Sequence, residues 1–232
     1  MRPQLAVLKT HKWLALLIGV QMLLWAASGV YMVMVHIDTI HGDMLVAEPT
    51  ATLDEHLGTV VPMATLLQRY PQANQVRLKL LAGVPVFQLG DGAGSFLVDA
   101  SSGTRLGSLD EARVRQLASA RYTGDAPVKH SELIADNPPG EVKHLALPAW
   151  RVDFDDYWGS SFYIDPVTGE LLTRRHNLWR VFDFLWMLHI MDYESRDRVN
   201  TLLLRLASPL ALLLLMSGGG LLYFRFRRRR RV

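Results

Sequence analysis

The chain has no cysteine among its 232 residues. This excludes disulfides, thiol catalysis, cysteine-ligated iron–sulfur clusters and covalently attached c-type haem. No G-x-G-x-x-G opens a helix and no P-loop lysine is present, so there is no recognisable route to a nicotinamide. Gly90-Asp91-Gly92-Ala93-Gly94 is glycine-rich, but it lies between two strand-like runs and reads as a hairpin loop. None of the eight histidines has a zinc spacing such as H-E-x-x-H, and no serine sits in a nucleophile elbow. Charge is absent from one long stretch, Trp13 to Val35.

That stretch organises the rest. At about 1.5 Å per residue it is roughly 35 Å long, enough to cross a hydrocarbon core of about 30 Å. Lipid offers the backbone no water, so the stretch must be a helix. It outlasts a signal-peptide h-region and stays apolar beyond Ala26-Ala27-Ser28-Gly29, so it reads as an uncleaved anchor. A second apolar run, Leu206 to Phe224, has Pro209 in its first turn and is followed by Arg225 and Arg227 to Arg231. An arginine run can mark nucleic acid. Directly after an apolar run it fits lipid headgroups better, so no nucleic acid is expected. Arg2, Lys9 and Lys12 flank the first run on the same side. The positive-inside rule then puts both termini in the cytoplasm and residues 37–199 in a bacterial periplasm, which makes this a multi-pass inner-membrane protein. Gly218-Gly219-Gly220 reads as a close-packing site, against the first helix or against a second copy in a homo-oligomer.

The region between the runs repeats at an offset of 66. Phe96-Leu97-Val98-Asp99 and Ser102-Gly103 line up with Phe162-Tyr163-Ile164-Asp165 and Thr168-Gly169. Each unit reads helix, then three strands. The first has a helix over Val60–Tyr70 and strands over Gln75–Leu81, Val84–Leu89 and Ser95–Asp99. The second has a weaker helix over Ser131–Ala135 and strands over Val142–Leu147, Trp150–Phe154 and Ser161–Ile164. Asp99 and Asp165 recur at equivalent turns, so they read as turn caps rather than catalytic or calcium carboxylates. A helix is expected after each copy, Asp110 to Arg121 with Asp110 as N-cap, and Asn177 to Tyr193. The latter is dense in aromatics and reads as a helix lying at the bilayer surface, the alternative being a buried core helix. The fold class is therefore an α+β membrane protein. The expected parts are 1–36 (N-terminus and first span), 37–120 and 121–176 (two α+β units), 177–199 (interfacial helix) and 200–232 (second span and basic tail).

Lys9-Thr10-His11-Lys12-Trp13-Leu14-Ala15-Leu16 followed by Ser28-Gly29 resembles the first helix of the PepSY-associated transmembrane family. The repeated strand–Asp-x-x-Ser/Thr-Gly units resemble PepSY domains. Leu188-His189, then Arg205 and the second run ending Tyr223-Phe224-Arg225, is similar to a later helix of that family. The resemblance covers nearly the whole chain. It implies kinship with inner-membrane reductases that carry b-type haem and reduce siderophore-bound iron. It also implies kinship with PepSY modules associated with inhibiting or chaperoning peptidases. Two spans, where the reductases have about four, depart from a full two-haem path.

Of the histidines, His11, His36 and His189 lie at membrane boundaries. A b haem takes two axial imidazoles, or one and a weaker ligand, on opposite faces of the ring. Read on the first helix, His36 shares a face with Met32, Val33 and Gly29. His189 lies on the row of Phe182, Leu185 and Trp186, opposite Arg180. A neutral imidazole there costs desolvation unless something binds it. With the resemblance, His36 and His189 are the expected axial ligands of haem b. His41 competes with His36. Arg175, Arg180 and Arg205 are the expected propionate partners. His11, roughly 37 Å below His36, reads either as a second-site ligand needing another subunit or as a snorkelling boundary residue. His56, His130, His144 and His176 read as surface residues. Two functions stand, beside a third that shares features of both, a subunit of a larger redox or transport complex with no activity alone. One is a haem-b electron-transfer component that takes electrons from quinol or a partner protein and reduces ferric siderophore iron or a flavoprotein. The other is a non-enzymatic anchored module that binds or inhibits periplasmic proteins or peptidases.

Overall fold

The computed structural model describes residues 3–47, 60–92 and 94–229; His56 lies outside them. Among the described residues, two helices are long and apolar enough to cross a membrane. They are α1 (Pro3–Met34) and α6 (Leu202–Arg229). α6 begins four residues before the apolar run, so Pro209 sits inside it rather than in its first turn. Between these helices come α2 (Ile37–His41), α3 (Met63–Arg69), β1 (Gln75–Leu81), β2 (Val84–Gly90), β3 (Ser95–Asp99), α4 (Glu111–Arg121), β4 (Val128–Ile134), β5 (Ala149–Phe154), β6 (Ser161–Ile164), β7 (Leu171–Arg175) and α5 (Asn177–Ile190). The chain divides into two compact units, 41–180, and 1–40 with 181–232.

The first of these units is the α+β domain. It holds two antiparallel sheets, β1-β2-β3 and β4-β5-β6-β7. Alternation of side chains along a strand assigns each residue to a face. Leu66 of α3 packs with Phe87, Leu89, Phe96 and Val98 on one face of the first sheet. On its other face, Leu81, Val86 and Leu97 share a core with Val114 and Leu117 of α4 and with Val152, Phe154, Phe162 and Ile164 of the second sheet. Tyr163, one residue out of phase, faces Ile134 and Val142 instead.

The offset of 66 holds for β2 with β5 and for β3 with β6, and fails for the strand before them. Of residues 131–135, expected as a helix, 131–134 belong to β4, paired with β5, and Ala135 lies just past its end. Val142 to Leu147, expected as a strand, is a 3-10 turn at Gly140–Val142 and a loop. The cause is the connection. β1 and β2 join through Ala82 and Gly83, both at positive φ as a two-residue hairpin turn requires. β4 and β5 join through a long loop containing Pro138, Pro139 and Pro148, which cannot extend a ladder. A five-residue helix at 131–135 has too few hydrogen bonds to outlast nucleation, whereas a strand there completes the edge of a sheet. α4 precedes β4 as α3 precedes β1, and it packs on β4, β5 and β6.

The turn carboxylates behave as read. Asp99 Oδ1 accepts from the amides of Ser101 and Ser102 at 3.0 and 2.8 Å. Asp165 Oδ1 accepts from Val167 and Thr168 at 2.7 and 2.6 Å. Asp110 caps α4 by accepting from the Arg113 amide at 2.8 Å.

A half-buried cluster closes the second sheet. Glu141 takes Arg180 Nε at 2.7 Å and the Tyr163 hydroxyl at 2.7 Å. Burial alone would raise the Glu141 carboxyl. The hydrogen bonds from Arg180 and Tyr163 outweigh it and hold the group below the usual carboxylate range. Stability from Glu141 is therefore present above its ordinary pKa of about 4.3 and lost as pH falls through the lower folded value. Thermal melts from pH 2 to 7 check this. Glu141→Gln should melt well below the parent at neutral pH, and the gap should close on acidification.

Candidate functional site

In the unit made of 1–40 and 181–232, α1 and α6 pack antiparallel. Ile18 meets Ala207, Ala211 and Leu214, with Leu14, Met22, Trp25 and Leu210 around them. Small residues on α6 let the backbones approach. Gly218 leaves room for His11, whose Cε1 would be 3.4 Å from an added Cβ. Gly220 does the same for Val7, while Gly219 faces open space. The glycine triplet thus packs against the first helix through two of its three members.

His11 Nδ1 lies 2.9 Å from Ser217 Oγ. The Ser217 hydroxyl donates back to Leu214 O at 2.8 Å. With its one proton used, Ser217 Oγ accepts from His11, so the Nδ1 carries the hydrogen and Nε2 the lone pair. The same arrangement recurs at the other end of α1. His189 Nδ1 lies 2.8 Å from Ser28 Oγ, and the Ser28 hydroxyl donates to Leu24 O at 2.7 Å. His189 is therefore also an Nδ1–H tautomer, and its Nε2 makes no hydrogen bond among the described residues. The ring is nearly parallel to Trp186, with centroids 6.4 Å apart, and Trp186 is in turn parallel to Phe182. An imidazole held by its Nδ1–H with a bare Nε2 is the form that ligates iron. His11 and Ser28 are 17 residues apart on one helix, roughly 26 Å. The unit thus offers one such imidazole at each of two depths.

The other expected site residues fall elsewhere. His36 lies past the end of α1, is 74% exposed at its side chain and faces Asp38 at 3.3 Å. It is eight residues, about 12 Å, beyond Ser28, so His189 meets Ser28 and not His36. Arg180 belongs to the domain, where Glu141, Gly159 O and Ser161 Oγ occupy its guanidinium. Arg205 is exposed on the first turn of α6. His41 gives its carbonyl to Arg174 Nε at 3.0 Å. His176, expected on the surface, is buried at 4%, with its ring packed against Gly42. His130 is exposed, 3.7 Å from Glu132.

Sequence reasoning missed Ser28 and Ser217. A hydroxyl in the middle of an apolar run was the available signal. It also missed how the end of α5 is held. Gln21 Nε2 donates to Leu188 O at 3.0 Å, Trp25 Nε1 to His189 O at 2.7 Å, and Thr201 Oγ1 to Ile190 O at 3.4 Å. These are carbonyls that the helix itself cannot satisfy.

The domain has a cleft of about 520 Å³ on its second sheet. Its cations are matched within the cleft: Lys129 to Asp155 at 3.0 Å, Arg151 to Asp153 at 2.9 Å and Arg180 to Glu141 at 2.7 Å. Among the described residues no group of three or more His, Asp or Glu side chains is arranged to hold a metal ion.

Neither the curated proteins nor the solved structures contain a match to the chain. A family described as PepSY-associated TM region matches residues 8–232. With two membrane-length helices flanking a domain of two antiparallel sheets, the chain belongs to the PepSY-associated transmembrane family.

Proposed function

We propose that this membrane PepSY protein is a haem-b electron-transfer component, with His189 and His11 each supplying one axial imidazole. The observation that carries the reading is the repeated serine clamp. Two histidines packed against the apolar helix α1 or α6 are both held through Nδ1–H, and neither Nε2 makes a hydrogen bond among the described residues. Each depth offers one imidazole per chain, so the opposing ligand comes from a second copy or a partner subunit. Bound haem would supply one-electron transfer. The chain's own residues orient the imidazoles through Ser28 and Ser217 and keep water from them with Trp186 and the α1–α6 seam. His36 and Arg205, both exposed, remain available to a propionate or a partner at the outer face. Arg180 is committed to Glu141.

The basic ends, Lys9 and Lys12 on one helix and Arg225 and Arg227 on the other, favour both termini in the cytoplasm and the domain in the periplasm of a bacterial inner membrane. Electrons would then arrive from quinol or a partner protein and leave to ferric siderophore iron or a flavoprotein. The test is the optical spectrum of membranes holding the chain, in which a low-spin b-type haem is expected.

A second reading is a non-enzymatic anchored module that binds or inhibits periplasmic proteins. Strand β1, hydrogen-bonded within its sheet only to β2 among the described residues, favours it by offering an edge to an extended peptide.

A further inference from the structure

α5 reaches α1 well inside the apolar run. Its last turn meets Gln21, Trp25 and Ser28. Ser28 lies seven residues short of Val35, about 10 Å below the outer end of that run. α6 does not cover this part of α1. With His11 opposite Ser217 and equal rise along both helices, the start of α6 at Leu202 falls near Ala26. Beyond it Val30, Val33 and Met34 of α1 are 63, 84 and 78% exposed.

The last backbone carbonyls of α5 and the carboxylates of Asp183 and Asp192 are closed by the chain itself, while the side chains of Glu194 and Arg198 just beyond them stay 91 and 67% exposed. The carbonyls of Leu188, His189 and Ile190 take side-chain donors, as above. Asp183 pairs with Arg196. The buried carboxylate of Asp192 accepts from the Ser195 hydroxyl and from the amides of Glu194, Ser195, Asp197 and Arg198. A helix end in water needs no such closure, because water caps it. Hydrocarbon requires it. Meanwhile Val181 and Phe184 of α5 turn outward, 45 and 53% exposed.

We infer that residues 181–190 of α5 are embedded among the acyl chains of the leaflet on the domain side, with lipid covering Val181 and Phe184. The insertion is shallow. Arg205, exposed near the level of Leu23, must still snorkel to the headgroups, which limits the depth to one or two helical turns. This depth matches that of amphipathic helices seated at the acyl boundary. His189 is thereby kept out of bulk water whether or not it ligates a metal.

The absence of cysteine makes the test clean. Val181→Cys and Phe184→Cys, both at exposed positions, carry a nitroxide in the full chain in phospholipid vesicles. Val20→Cys, at a position 71% exposed in the middle of the run, serves as the lipid reference and Tyr157→Cys, at a position 89% exposed on the domain, as the water reference. The expected result is loss of collision with a water-soluble nickel chelate at 181 and 184, with oxygen collision retained as at 20. Nickel access like that at 157 would overturn the inference, because it places α5 in water. Shielding from both reagents would also overturn it, because protein and not lipid then covers the face. The measurement is made without haem, so its failure and that of the electron-transfer reading are separate.

Discussion

His189→Ala is expected to abolish the haem absorbance of the domain-side site completely, while His36→Ala leaves it intact. The cause is the tautomer. Ser28 spends its proton on Leu24 O and so receives the Nδ1–H of His189, which leaves Nε2 as the one basic nitrogen of the ring. His36 has neither the burial nor the orientation. Its ring faces Asp38 in solvent, past the end of the helix. Ser28→Ala should give an intermediate result. The ligand remains but its orientation is lost, and removal of such a supporting hydrogen bond weakens affinity about 10–100-fold. Titration of haem into the three purified variants, followed by absorbance, separates these outcomes. Equal affinity in all of them would remove His189 from the site.

Phe162→Ala is expected to cost about 3–5 kcal/mol of domain stability. Phe162 is fully buried where the two sheets and α4 meet. Its ring lies edge-on to Phe154 at 5.1 Å and to Tyr122 at 6.0 Å. Nothing beside it is free to collapse into the space, since Phe154 and Tyr122 are already stacked on each other at 4.1 Å. Leu133→Ala on β4, where the side chain is 48% exposed, should stay within about 0.5 kcal/mol. Urea denaturation of the two variants in detergent, followed by circular dichroism, measures the difference. A small loss at Phe162 would mean that the shared core does not hold the two sheets together.

The spans, the duplicated strand–turn units and the Asp caps were legible because each rests on local pattern: apolar length, period-two alternation, and an Asp two or three residues before the amides it binds. The first strand of the second unit was not legible. Its identity depends on a long connection between β4 and β5 that breaks the repeat, and residues 131–135 carry no helical or strand pattern strong enough to decide alone. At the site, His11 and His189 were visible as boundary imidazoles, but their serine partners were not. Ser28 stood out only within the small-residue stretch Ala26-Ala27-Ser28-Gly29, Ser217 did not stand out at all, and only the approach of α5 to α1 and of α6 to α1 turns them into acceptors. His36 drew notice because the apolar run continues to Val35. The helix itself stops at Met34, and that break sends the ring into solvent. Arg180 lies on the polar side of α5 as expected, yet its partner is Glu141, which no spacing in the sequence ties to it.

In the proposed function, two serine-clamped imidazoles act as iron ligands. The most direct measurement is a reduced-minus-oxidised difference spectrum of the purified chain supplied with haem during expression, with haem and chain both quantified. A low-spin b-type spectrum with one haem for every two chains at each occupied depth is the predicted result. A colourless protein that stays colourless on haem titration would contradict it.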